Sequence, residues 1–186
     1  MNIEELVRAA KEGQHHCYGE LISRFQQHIL NYCFHMLGQL QEAEDVTQDV
    51  FIKGFQRLEQ YREGTSFQAW LYAMTYHECL NRLKRAKTLE RILQVFSGTA
   101  PILQSDVSTA RFEYNEELRE ALLRLSIKDR HIILQRIVEE LRFEEIAEQL
   151  QMSTPAVRKR YERAKKQLKK ILASREEGGN ERSLSY

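Results

Sequence analysis

The chain has 186 residues, of which 42% are hydrophobic and 30% charged, and a formal net charge of +1. That is room for one or two soluble domains with modest cores. No apolar run approaches the roughly 18 residues a membrane span requires. Met1 to Gln14 is charged and helix-patterned, unlike a secretory signal. Cys17, Cys33 and Cys79 are too scattered for a disulfide framework, which points to a reducing cytoplasm.

Helix dominates the pattern: only eight Gly and two Pro punctuate the chain, and no stretch alternates with a period of two. A first helix is predicted over Ile3 to Lys11, ending near Gly13. A second runs from about Tyr18 to Leu37, with Leu21, Phe25, Ile29, Cys33 and Met36 on one face and Gly38 as its stop. A third spans roughly Gln41 to Leu58 and buries Ala43, Val46, Val50 and Leu58. Its polar side carries Asp45, Gln48 and Asp49, with Phe51 or Ile52 expected exposed at the rim. Such a face is either solvated or a docking surface for a partner.

A polar loop from Glu59 to Gly64 follows, and Thr65 with Gln68 has the spacing of a capping box. The fourth helix, Phe67 to about Lys87, mixes Trp70, Tyr72 and Tyr76 with Arg82, Lys84, Arg85 and Lys87. Aromatic rings among cations suit unpaired nucleic acid, where bases stack and phosphates are neutralised. Phe67, Trp70, Leu71 and Met74 fit a core equally well, which leaves Tyr76, His77 and Asn81 as the residues expected to be available.

Residues 88–111 read as a linker, with Gly98 and Pro101 but also Ile92, Leu93, Val95, Phe96, Ile102 and Leu103. That is too apolar for a free tether, and Leu89 to Phe96 is itself helix-patterned. Four more helices are predicted at Phe112 to Leu125, Lys128 to Val138, Phe143 to Leu150 and Thr154 to Leu172, before a polar, disordered tail over 174–186. In the last pair, Ile146, Ala147 and Leu150 form one apolar stripe and Met152 plugs the joint. Ser153 or Thr154 can cap the next helix and Pro155 suits its first turn. Val157, Tyr161, Ala164, Leu168 and Ile171 then make a buried face, opposite Lys159, Arg163, Lys166 and Lys170. A short helix followed by a longer one with a cationic outer face is a helix-turn-helix, whose second helix enters a major groove. A hairpin with a merely solvated basic face is the alternative.

The charge is sorted along the chain: Pro155 to Arg175 holds nine Lys or Arg against one acid, Glu162. At the start of the last helix Thr154, Arg158, Lys159 and Glu162 are placed to reach base edges, and later cations such as Lys166 to meet phosphates. Catalytic chemistry has little support. There is no P-loop, Gly-rich dinucleotide turn or nucleophile elbow. The one Glu-x-x-His pair, Glu12 to His15, has no second half, and no cofactor is expected.

Three blocks carry a resemblance: Ala43 to Lys53, Ser66 to Tyr72, and Glu145 to Leu150 continuing through Val157 to Arg160 and Arg163 to Lys165. In that order and separation the chain resembles a bacterial RNA polymerase sigma factor of the extracytoplasmic-function group. The resemblance implies an all-α protein of two small helical domains, 1–87 and 112–173, joined by a linker, the C-terminal one a helix-turn-helix. It implies that Asp45, Gln48, Asp49 and Phe51 dock on core RNA polymerase. It gives the single-stranded −10 promoter element to Tyr61, Arg62, Thr65, Ser66, Tyr76, His77, Asn81, Arg82 and Arg85. The duplex −35 element falls to Thr154, Arg158, Lys159, Glu162, Arg163 and Lys166. The linker would thread polymerase near the RNA exit path, and an anti-sigma protein of unspecified identity is implied as a further partner. Many relatives have Asn where this chain has His77 and Asp where it has Asn81, which implies altered promoter opening. Gln151 stands where glycine is common at the joint. The alternative function is a polymerase-independent helix-turn-helix regulator, with residues 1–87 as a dimerisation or sensing domain.

Overall fold

The computed structural model describes residues 1–97 and 116–182, with side chains for 1–92 and 116–174. The chain forms two compact units divided between Ser108 and Thr109, and the described residues are helical with no strand among them. Most of the expected linker, and the expected start of the next helix at Phe112, lie outside the described residues.

The N-terminal unit contains α1 (Ile3–Lys11), α2 (His15–Leu37), α3 (Leu40–Gln56), a 3-10 turn (Leu58–Gln60) and α4 (Phe67–Ser97). Asn2 opens α1 through a capping box, its Oδ1 accepting the Glu5 N–H at 2.8 Å while Glu5 accepts the Asn2 N–H at 2.9 Å. Gly38 ends α2 in the left-handed conformation at φ 82°, its N–H bonded to the Phe34 carbonyl at 2.8 Å. The predicted faces are the buried ones. Leu21, Phe25, Ile29, Cys33 and Met36 of α2 meet Ala43, Val46 and Val50 of α3 and Leu71, Tyr72 and Cys79 of α4 in one core. Each large apolar side chain so buried contributes about 1.5–3 kcal/mol.

Two local expectations are corrected. The cap of α4 is Ser66 rather than Thr65: Ser66 Oγ accepts the Ala69 N–H at 3.1 Å, while Thr65 Oγ1 turns back to the Arg62 carbonyl at 2.7 Å. Gly64, at φ 81°, turns the chain just before this cap. Helix α4 also runs to Ser97, ten residues past Lys87, because no glycine or proline interrupts that stretch.

The C-terminal unit contains α5 (Glu116–Leu123), α6 (Ile127–Ile133), a π-helical turn (Leu134–Val138), α7 (Phe143–Leu150) and α8 (Thr154–Arg182). Arg130 of α6 is buried, donating to the carbonyls of Leu122 at 2.9 Å and Leu123 at 2.8 Å, and so it satisfies the C-terminal end of α5. Arg160 of α8 donates to Asp129 at 2.7 Å and to Ser126 Oγ at 3.2 Å, which ties α8 to the start of α6. The expected tail from residue 174 is helical as far as Arg182; no proline follows Pro155 to stop α8.

Candidate nucleic-acid and partner interfaces

On α3, the residues at 45, 48, 52 and 55 follow steps of three and four and line one side. Asp45 and Gln48 are exposed, as are Ile52 at 57% and Phe55 at 43%. Asp49 is half-buried beside them. Of Phe51 and Ile52, either of them expected exposed at the rim, Ile52 is; Phe51 is only 8% exposed and instead belongs to the buried side with Ala43 and Thr47, at steps of four. The aromatic at the rim is Phe55, which packs on Tyr18 with ring centroids 5.1 Å apart and on His15 at 5.4 Å. The repeat 45, 48, 52, 55 was the signal that could have found it.

The loop before α4 is built around Tyr61. This residue is 2% exposed, so the expectation that it meets DNA is corrected. Its hydroxyl lies 2.8 Å from Glu4 Oε1, its carbonyl accepts from Lys11 Nζ at 2.8 Å, and its ring meets Phe67 and Trp70 edge-on at 5.5 and 5.6 Å. Burial, then the hydrogen bond to Glu4, pushes its phenol up to about 12. Tyr61 thus anchors the loop, which presents Arg62 and Thr65 to solvent and leaves Ser66 half-buried.

Along α4, His77, Asn81 and Arg85 recur every four residues and are all exposed, with Lys84 and Thr88 alongside. Tyr76 is corrected in the same way as Tyr61: at 3% exposure it belongs to the core, on the side of Tyr72 and Cys79. Arg82 faces α3, its guanidinium 3.1 Å from Glu42, 3.4 Å from Asp49 and 3.9 Å from Asp45.

In the C-terminal unit, α7 ends at Gln151 with φ 52° and ψ 48°. The Met152 N–H bonds the Ala147 carbonyl at 2.9 Å and the Gln151 N–H the Glu148 carbonyl at 3.1 Å, the paired bonds of a Schellman turn. Gln151 takes the conformation that glycine adopts without cost. Ile146, Ala147 and Leu150 of α7 and Val157, Ala164 and Leu168 of α8 are all buried. This leaves Arg158, Lys159, Glu162, Arg163, Lys166, Lys169 and Lys170 exposed on α8, with Thr154 half-buried at its start. Arg158 is held in place: its guanidinium lies 5.1 Å over the Phe143 ring and 3.3 Å from Glu144 Oε1. Glu144 is held below the usual carboxylate range by a backbone hydrogen bond first and Arg158 second. Glu162 pairs with Lys165 at 3.2 Å. A pre-positioned arginine fork at the start of a helix with an exposed cationic face is suited to paired acceptors on a base edge or a phosphate.

Comparison with known proteins agrees with this division. Residues 21–88 match the model of Sigma-70 region 2, and residues 115–168 that of Sigma-70, region 4. The RNA polymerase sigma factor YlaC of Bacillus subtilis (strain 168) is 33% identical over 162 residues, covering 85% of this chain and 94% of that protein. The ECF RNA polymerase sigma factor SigW of the same organism is 24% identical over 183 residues, covering 92% and 97%. Among solved structures, the sigma factor RpoE in complex with the anti-sigma factor NepR from Bartonella quintana has a TM-score of 0.71 at 18% identity, covering 84% of this chain and 96% of that one. CnrH in complex with the cytosolic domain of CnrY has a TM-score of 0.69 at 21% identity, covering 92% and 97%. The chain belongs to the bacterial RNA polymerase sigma factors, in the extracytoplasmic-function group.

Proposed function

We propose that the chain is a dissociable specificity subunit of RNA polymerase, working in the cytoplasm and bringing no chemistry of its own. It binds core polymerase, directs it to promoters with −10 and −35 elements, and helps melt the DNA. The observation that carries this reading is that one chain holds two exposed cationic surfaces of different kinds. The exposed cationic face of α8 suits a duplex groove, while the exposed row His77, Asn81 and Arg85 on α4 suits an unpaired strand.

In this reading, Asp45, Gln48 and Asp49, with Ile52 and Phe55 at the rim, form the docking face for polymerase. Arg62, Thr65, Ser66, His77, Asn81 and Arg85 serve the −10 strand. Thr154, Arg158, Lys159 and Glu162 read the −35 duplex, with Arg163 and Lys166 on its phosphates. RpoE and CnrH are solved with NepR and CnrY, and an anti-sigma protein is proposed as this chain's inhibitory partner on that likeness.

Run-off transcription on a random promoter library, with core polymerase with and without the chain, tests the proposal. Chain-dependent transcripts from templates sharing two spaced elements are expected. Absence of such transcripts from a core that elongates on nicked templates would refute it. Tight, specific duplex binding without polymerase would favour the independent regulator instead.

A further inference from the structure

One side chain joins the docking face of α3 to the DNA-facing helix α4. Glu42, Asp45 and Asp49 stand at steps of three and four on α3, and Arg82 reaches all three carboxylates, at 3.1, 3.9 and 3.4 Å. One turn back along α4, Glu78 meets Lys53 of α3 at 2.7 Å, so the two helices run antiparallel here with complementary charge. Arg82 lies between Asn81 and Arg85 in sequence, inside the segment assigned to the −10 strand, yet it is turned away from their open face.

We infer that Arg82 is a latch between polymerase docking and −10 strand binding. The inference rests on the assignment of α3 to polymerase and α4 to DNA under Proposed function. In the free protein the three carboxylates hold the guanidinium against α3, away from phosphate. Basic groups of polymerase that engage Asp45 and Asp49 leave Glu42 as the last of the three carboxylates on Arg82. The guanidinium then swings to a backbone phosphate. Arginine suits both states, because its fork satisfies carboxylates and phosphate with the same geometry. All four side chains are partly exposed, so each pair is weak and the latch is shallow enough for docking to open. The coupling is reciprocal: DNA that captures Arg82 bares Asp45 and Asp49 and strengthens docking.

The test measures fluorescence anisotropy of a labelled, short, random-sequence single-stranded DNA pool, over a salt series, with and without core polymerase. The full-length chain is compared with Glu42→Gln, Arg82→Gln and the double variant. Without polymerase, Glu42→Gln should bind about threefold tighter, with a salt slope steeper by about 0.7, the signature of one added phosphate contact on a single strand. The gain should vanish in the Arg82→Gln background, and saturating core should make Glu42→Gln indistinguishable from wild type. A gain that persists without Arg82 would mean that loss of negative charge alone raised affinity, and would overturn the latch. So would no gain in a Glu42→Gln chain that melts like wild type and still binds core. Wild-type protein that fails to bind core at all would overturn the reading of α3 and the latch with it.

Discussion

Gly54 lies on α3 where α2 and α4 also meet, and an alanine there tests how that junction is closed. An added Cβ would stand 2.6 Å from Tyr18 Oη, 3.6 Å from Met74 Cε and 3.8 Å from Leu71 Cδ1. Only the first contact is untenable. The Tyr18 hydroxyl is buried and donates to the Phe51 carbonyl at 2.8 Å, so it cannot retreat without losing that bond. Overpacking costs about 1–3 kcal/mol and the lost hydrogen bond about 1 kcal/mol, while the better helix propensity of alanine offsets about 1 kcal/mol. A net loss of about 1–3 kcal/mol is expected for Gly54→Ala. Trp70, the one tryptophan, sits on α4 in the same unit, so urea unfolding followed by its fluorescence reads that unit alone. Removing the obstructing oxygen should reverse the sign. In a Tyr18→Phe background, Gly54→Ala should be neutral or stabilising by up to about 1 kcal/mol. An equal loss in both backgrounds would refute the steric account.

Gln151→Gly relieves a left-handed residue that costs about 1 kcal/mol and should slow amide hydrogen exchange in α7 by several-fold; faster exchange would mean that the glutamine side chain stabilises the joint. The raised Tyr61 phenol makes the N-terminal unit sensitive to base. The folded unit keeps a proton that the unfolded chain starts to lose near pH 10, so stability falls as pH rises from about 10 to 12. Tyr61→Phe should flatten that fall in urea midpoints, whatever it does to their level, and an unchanged slope would remove Tyr61 as a cause. Arg158→Ala, assayed as polymerase holoenzyme on upstream-element variants, should lose about 1–3 kcal/mol of discrimination at one base pair. A uniform loss across all sequences would reassign Arg158 to a phosphate.

What was legible in the sequence was whatever a single helix decides for itself. The bounds of α1 and α7, the glycine stop of α2 and the buried stripes of α2, α3, α7 and α8 follow from a 3.6-residue period and end chemistry. The errors share a cause. Tyr61 and Tyr76 look like stacking residues because an aromatic beside cations has the same local pattern whether it faces a base or a core. Only the convergence of Glu4, Lys11, Phe67 and Trp70 on Tyr61, from α1 and α4, makes it an anchor. The exchange of Phe51 for Phe55 is subtler. Both flank the acidic stripe, and the choice turns on whether position 51 continues the 43, 47 row into the core, as it does. The carboxylate partners of Arg82 are illegible for a different reason: they lie 33 to 40 residues earlier, a distance no local pattern spans.

The net charge of +1 acquires a physical meaning from these pairings. Arg82 is held by three acids on α3, Arg158 by Glu144, Arg160 by Asp129 and Lys165 by Glu162. Each of these cations must exchange a carboxylate for a phosphate before it adds to DNA affinity, and that exchange releases less free energy than a bare cation would gain. Lys159, Arg163, Lys166, Lys169 and Lys170 remain open on α8, and Lys84 and Arg85 on α4. Two short open clusters of this kind bind DNA weakly and with strong dependence on salt when each acts alone. Held on one polymerase at a spacing the promoter matches, the second contact becomes intramolecular, and its effective concentration supplies the affinity that the charge count lacks. On the function proposed above, the internal carboxylates lower binding to stray DNA while leaving promoter binding conditional on polymerase.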